Sequence, residues 1–295
     1  MSASSELVAA NGLSFEVETA GDPRSDRLAL LLHGFPEHAF SWRHQLPLFA
    51  KLGYCVWAPN QRGYGKSSKP KGVSSYRIDE LVADVAGLID ASGERDVTLV
   101  GHDWGGLVAW ELAARQTRPL ERLVILNVPH PVRFREELAS NRAQRRRSLY
   151  AAFFQLPWLP EWLFRRKGAA AIAQAFRGMA IDKSRFPDDV LAVFQQNALQ
   201  PGALTAMLNW YRANGRHFGA LGGQGSAASP IIDTPTLMIW GEEDSALGKE
   251  TTFGTERFVS DLTVHYLPGV SHWVQQEAPE AVNEILESWL GAPRG

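Results

Sequence analysis

The chain is short of the features that would place it in a special class. It has one cysteine, Cys55, in 295 residues, so no internal disulfide can form and a reducing, cytoplasmic setting is expected. That cysteine sits in the apolar run Tyr54 to Ala58 and reads as a buried structural thiol. Neither sign of charge is in real excess. A formal net charge of −2 gives no bulk electrostatic case for nucleic acid or an anionic membrane as partner. No run of about 18 apolar residues is present, so no bilayer span is expected. Residues Met1 to Ala10 lack a basic segment followed by a long apolar one, so no signal peptide is expected. No internal repeat is evident.

What remains is an ordinary globular composition, 45% hydrophobic and 21% charged, with ten tryptophans. Such a length accommodates one large core, or a core with an inserted subdomain. The aromatic content suits dense packing and equally an apolar pocket.

Short apolar runs alternate with helical patterns. Leu13 to Val17 reads as an edge strand, Leu28 to Leu32, Cys55 to Pro59, Val97 to Val100 and Leu123 to Leu126 as apolar or buried strands, and Thr236 to Trp240 and Leu262 to Leu267 as the last two strands. Between them, Ile78 to Ala91 carries Leu81, Val85, Leu88 and Ile89 at helical spacing, and the chain closes on a helix over Glu280 to Leu290 behind Pro279. This alternation predicts an α/β fold with a mostly parallel sheet. Ligands of such sheets bind beyond the carboxyl ends of the strands, where His33, Asp103 and Asn127 fall. The glycine-spaced loop Asn60 to Ser68 lacks the spacing of a phosphate-binding loop and reads as a connection.

From Val132 the texture changes. Arg142, Arg145, Arg146 and Arg147 crowd together, an aromatic stretch follows, and Pro187 and Pro201 break what reads as several short helices. The arginines read as a solvated helix face, nucleic-acid binding being the minor reading. Residues 132–230 are expected to form a helical cap inserted into a core built from 1–131 and 231–295, returning through the Gly/Ser/Ala-rich linker 219–229.

Val97 to Gly106 is the organising stretch: a β-branched strand, glycines at 101, 105 and 106, then an apolar helix. That is the layout of a nucleophile elbow, with Asp103 where a serine is more usual. Asp244 follows the penultimate strand and His272 the last, giving nucleophile, acid and histidine in the chain order of an α/β-hydrolase. Taken singly, Asp244 reads as a solvated loop residue and His272 as structural; the shared placement at strand ends favours the triad. A carboxylate can displace at saturated carbon and form an alkyl ester. Water activated by His272, oriented by Asp244, would then hydrolyse that ester. Backbone N–H groups of Phe35 and Trp104 are the expected oxyanion hole.

The sequence resembles the epoxide hydrolases of the α/β-hydrolase fold over essentially its whole length, through His33-Gly34-Phe35-Pro36-Glu37, Arg62-Gly63-Tyr64-Gly65, Gly101-His102-Asp103-Trp104-Gly105-Gly106, Phe154-Gln155-Leu156-Pro157, Asn209-Trp210-Tyr211-Arg212 and Ser271-His272-Trp273. The resemblance implies that Tyr211 hydrogen-bonds the epoxide oxygen and protonates it on opening. It implies a small lipophilic epoxide and water as reactants, and neither a cofactor nor a metal. Many family members carry a second cap tyrosine where this chain has Phe153; Tyr150, one turn earlier, is the candidate replacement, with simple packing the alternative. A haloalkane or haloacetate dehalogenase of the same fold is the rival reading. Those enzymes resemble the chain at the elbow, but place a halide-binding Asn where Phe35 stands or an Arg where Trp104 stands. A non-catalytic hydrolase-like binding protein is the second rival, and either a monomer or a homodimer fits.

Overall fold

In the computed structural model, residues 4–93, 95–215 and 230–291 are described; the expected linker 219–229 lies outside them. Eight strands form one sheet: β1 (Ser4–Ala10), β2 (Leu13–Gly21), β3 (Arg27–Leu32), β4 (Cys55–Pro59), β5 (Asp96–His102), β6 (Arg122–Leu126), β7 (Thr236–Gly241) and β8 (Leu262–Leu267). Their order is β1-β2-β4-β3-β5-β6-β7-β8. The pairs β1/β2 and β2/β4 are antiparallel and all others parallel. This is the α/β-hydrolase architecture expected.

One expectation is corrected. Leu13 to Val17 is not an edge strand: β2 runs to Gly21 and is paired on both sides, and the edge belongs to β1. Strand β1 escapes periodicity reading because its first four residues are exposed and little of it packs on the core. Its real signal is Asn11-Gly12, two positive-φ residues between Ala10 and Leu13, the dipeptide favoured in tight hairpins.

The central strands bury both faces. Leu28, Leu30 and Leu32 of β3 join one core cluster, while Ala29 and Leu31 join the other, as period-two alternation requires. Helices α1 (Leu46–Lys51), α2 (Ile78–Ala91) and α3 (Trp104–Ala114) follow strands. Val85 and Val108 from α2 and α3 pack in the first cluster; Phe49 from α1 packs in the second. Among the described residues between β6 and β7 lie six α-helices: α4 (Pro131–Ser140), α5 (Arg142–Arg147), α6 (Leu149–Phe153), α7 (Leu159–Met179), α8 (Asp188–Leu199) and α9 (Ala203–Asn214). The helices are mostly short, but α7 is 21 residues with a non-helical break from Arg166 to Ala169. After β8 come α10 (Val274–Glu277) and α11 (Pro279–Gly291), the latter burying Val282, Leu286 and Leu290 in the second cluster.

The loop from Asn60 to Ser68 does lead out of β4 toward α2, and it also holds the inserted helices down. The Gly65 N–H donates to Asn197 Oδ1 at 2.7 Å, and the Trp210 indole donates to the Arg62 carbonyl at 3.0 Å. Arg62 is itself fixed by Asp84, with both contacts at 2.6 Å. Among the described residues, no helix is long and apolar enough to cross a membrane.

Candidate active site

The site starts where β5 stops. Asp103 lies between β5 and α3 with φ 48 and ψ −120, a conformation that costs a non-glycine residue about 1–3 kcal/mol. The glycines around it allow the backbones to touch. A Cβ on Gly105 would sit 2.2 Å from the Leu32 carbonyl oxygen, and one on Gly34 would sit 2.5 Å from Asp103 Cβ. Sharp turning at this spot lifts the carboxylate off the sheet and brings it under the β3 loop. There the Phe35 N–H donates to Asp103 Oδ1 at 2.8 Å. Trp104 opens α3, so the positive end of that helix also faces the carboxylate.

Loops after β7 and β8 supply the other two polar groups. His272 Nε2 lies 3.7 Å from Asp103 Oδ2, while Nδ1 bonds Asp244 Oδ2 at 2.7 Å. Asp244 is buried and saturated: Oδ1 accepts from the Ala246 and Leu247 N–H groups at 2.8 and 2.9 Å, and Oδ2 also accepts from Asn127 Nδ2 at 2.8 Å. Burial works against charge on both partners. For Asp244 it is outweighed by His272 and these donors, and the pKa is lowered. For His272 it is outweighed by Asp244 and then Asp103, and the pKa is raised to about 9.

Tyr211 faces this floor from α9. That helix buries Met207, Trp210, Tyr211 and Asn214 along one side. Its end is pinned by Asn214, which accepts from the Ile78 N–H at 2.7 Å and donates to the Tyr76 carbonyl at 2.8 Å. The Tyr211 ring stands edge-on to Trp104 at 4.9 Å and to Phe35 at 5.2 Å. Tyr150, from α6, has its ring 6.0 Å from that of Tyr211. Both phenols have raised pKa values, first through burial and then through neighbouring negative charge, Asp103 included. They are proton-holding groups at neutral pH.

Two cavities meet at these residues. One runs past Leu107, Val128 and Phe134; the other, larger, runs past Phe153, Phe164 and Met179. Both are lined by Asp103, Tyr150 and Tyr211. The seven residues singled out from sequence are therefore assembled around a single point. Among the described residues, no cluster of three metal-ligating side chains occurs.

Sequence reading missed a layer beneath the triad. Glu37 is fully buried and accepts from the Gly34 N–H at 2.9 Å, Gln275 Nε2 at 3.0 Å and Gln276 Nε2 at 2.6 Å. Its Oε2 also lies 2.6 Å from His102 Nδ1, and His102 Nε2 reaches the His272 carbonyl oxygen at 2.9 Å. Burial opposes the Glu37 charge, but His102 and the Gly34 N–H win and hold its pKa down at about 2. One buried carboxylate thus ties together the β3 loop, the residue before the elbow and the histidine loop. Glu37 and His102 stood within the quoted motifs; what hid their role is that neither motif reports burial.

The family description for the α/β-hydrolase fold matches residues 30–279. An AB hydrolase superfamily protein, YfhM, of Bacillus subtilis is 39% identical over 287 residues, covering 97% of each chain. Epoxide hydrolase 4 of Mus musculus is 37% identical over 95% of this chain and 77% of its own. Among solved structures, a mutant of an epoxide hydrolase from Bacillus megaterium, complexed with its product (R)-3-[1]naphthyloxy-propane-1,2-diol, is 30% identical with a TM-score of 0.86, covering 97% of this chain and 100% of that one. Fold, topology and relatives agree, and the chain belongs to the α/β-hydrolase family and, within it, to the epoxide hydrolases.

Proposed function

We propose that the protein hydrolyses a lipophilic epoxide to a vicinal diol through an alkyl ester on Asp103. The observation that carries this reading is the state of the Asp103 carboxylate. Oδ1 is held by the Phe35 N–H, whereas Oδ2 faces His272, with Tyr150 and Tyr211 lining the same cavity. Oδ2 is then the attacking atom. It forms a bond to one epoxide carbon as the carbon–oxygen bond breaks, and the Tyr211 hydroxyl gives its proton to the departing oxygen. Tyr150 is read as the second phenol on that oxygen, standing in for the cap tyrosine that is absent where Phe153 lies.

In the second half, His272 takes a proton from water, and the hydroxide attacks the ester carbonyl carbon. The oxyanion develops on Oδ1, which already accepts from Phe35; Trp104 supplies the second backbone N–H. Collapse breaks the bond between the Asp103 carbonyl carbon and Oδ2; the leaving alkoxide takes the proton held by His272 and departs as the diol, and the proton of the regenerated carboxylic acid passes to the Tyr211 phenolate, restoring the Asp103 carboxylate. His272 must be neutral to act as base. The negative charge of Asp103 helps hold its proton, and ester formation removes that charge. Alkylation therefore lowers the His272 pKa at the moment a base is needed.

Residues 132–230 are read as a cap on a core of 1–131 and 231–295, carrying the phenols over the carboxylate. Cavities that are mainly apolar and aromatic fit a lipophilic or aryl epoxide. The test is a His272→Gln variant incubated with an aryl epoxide. A mass increase equal to the epoxide on the Asp103 peptide is expected; a folded variant that binds substrate and shows no adduct overturns the ester mechanism. Halide release from haloalkanes and haloacetates, assayed beside diol formation, decides against the dehalogenase reading if it is absent.

A further inference from the structure

The arginine cluster takes no part in the chemistry above, yet it lies in a distinctive setting. Across residues 142–167 there are seven cations, namely Arg142, the run 145–147, Arg165, Arg166 and Lys167, against one acid, Glu161. All seven are exposed. Glu161 is taken by Arg212 at 2.6 Å, and among the described residues the one carboxylate contact of the seven is Arg147 with Glu250 at 3.7 Å. The net charge of −2 averages this region away.

The same segment exposes apolar side chains. Leu149 is 64% exposed, Trp158 72% and Trp162 53%, with Leu156 and Leu163 also open. These make up five of the eleven exposed large hydrophobic residues among those described. Trp158 and Trp162 are one helical turn apart, and the Arg166 guanidinium lies 4.6 Å over the Trp162 ring. Trp158 keeps a left-handed backbone, φ 51, although its ring is mostly open to solvent. Isolated exposed apolar residues need no explanation; tryptophans interleaved with arginines of which, among the described residues, only Arg147 meets a carboxylate do. That mixture is the composition of a surface seated in the headgroup region of a bilayer, with rings at the boundary and cations on anionic lipid.

We propose that the cap face bearing Leu149, Trp158, Trp162 and Leu163, rimmed by these cations, docks on an anionic phospholipid surface. Charge complementarity chooses this occupant over an apolar protein partner, because a second copy of the same segment would bring its own exposed cations against these seven. The patch is also continuous with the larger cavity, since Arg147 and Leu163 line it together with Asp103. A lipophilic compound held in the bilayer would thus meet the protein beside the cavity wall. The docking itself does not depend on the reaction catalysed.

The test is flotation of the full chain with phosphatidylcholine vesicles, with and without about 30% phosphatidylglycerol. Binding to the anionic vesicles should exceed binding to the neutral ones by about tenfold and fall away near 0.5 M salt, where screening is short-ranged, roughly 4 Å. Brominated lipid should quench tryptophan fluorescence in the wild type. A Trp158→Ala/Trp162→Ala variant should lose that quenching, and an Arg165→Glu/Arg166→Glu variant should lose the lipid preference. Circular dichroism and melting confirm that each variant is folded. Absence of binding to anionic vesicles, indifference to lipid charge, or wild-type binding by the tryptophan variant overturns the proposal. So does a concentration-dependent dimer that the tryptophan variant dissolves, which would put a second copy on the face.

Discussion

The floor and the ceiling of the candidate site are built by opposite means. The floor, with Asp103, Asp244 and His272, hangs from the ends of β5, β7 and β8 and is cross-tied by side-chain bonds to Glu37, His102 and Asn127. The ceiling, with Tyr150 and Tyr211, rests on short helices whose contacts near the site are mainly ring against ring. Hydrogen-bonded strand ends fix an atom in position and direction, whereas edge-to-face aromatic packing fixes a ring while leaving choice in its neighbours. The fixed half is assigned the covalent chemistry, and the adaptable half the recognition of the epoxide oxygen and its substituents.

Substitutions on the two halves should therefore fail differently. The largest loss is expected for Asp103→Asn on the floor: no alkylation, and at least about 10⁴-fold less diol in initial-rate assays. On the ceiling, Tyr211→Phe should slow alkylation by about 10²-fold and Tyr150→Phe by less, as general-acid contributions usually run; single-turnover mass spectrometry of the Asp103 peptide reads that step alone. Equal effects of the two replacements would show that the phenols share the oxygen rather than divide into donor and helper.

Beneath the floor, Glu37→Gln keeps the shape but removes the charge facing His102. About a tenfold slowing of ester hydrolysis, with alkylation less affected, is expected together with a destabilisation of about 1–3 kcal/mol for the disturbed buried bonds. Rapid-quench kinetics and a denaturant melt separate the two. The smallest effect is a titration. His272 has its pKa raised to about 9, partly by Asp103, so Asp103→Asn should lower it, as read by NMR of the imidazole. In the active enzyme the hydrolytic step should accordingly gain rate with rising pH and level off below pH 9.

Much of the floor is legible in the sequence because its residues follow strands. Asp103 and Asp244 stand just past buried apolar runs, which announce themselves, and His272 follows the half-buried β8, legible from its alternation with the preceding strands. Strand β1 does not, because its side chains are largely exposed and its pairing is carried by backbone. Tyr150 and Tyr211 are assigned from resemblance and helical spacing alone; that their rings stand 6.0 Å apart is a product of how α6 and α9 pack. Glu37 is in view within its motif, yet burial of a loop carboxylate has no local sequence signature. The break in α7 from Arg166 to Ala169 is only half legible: Gly168 is a helix breaker, but the Arg-Arg-Lys before it is good helix-forming sequence.

Phe35 bears on how such a site could change over time. It serves Asp103 with its main chain while its ring packs against Phe154, Phe164 and Tyr211. Replacing that side chain with any residue but proline alters the room available to a substrate and leaves the amide proton in place. The position is thus two inheritable traits on one codon, of which one varies freely and the other is lost only to proline. Lineages could explore new epoxides through position 35 while keeping the N–H that the proposed mechanism places on Asp103 Oδ1.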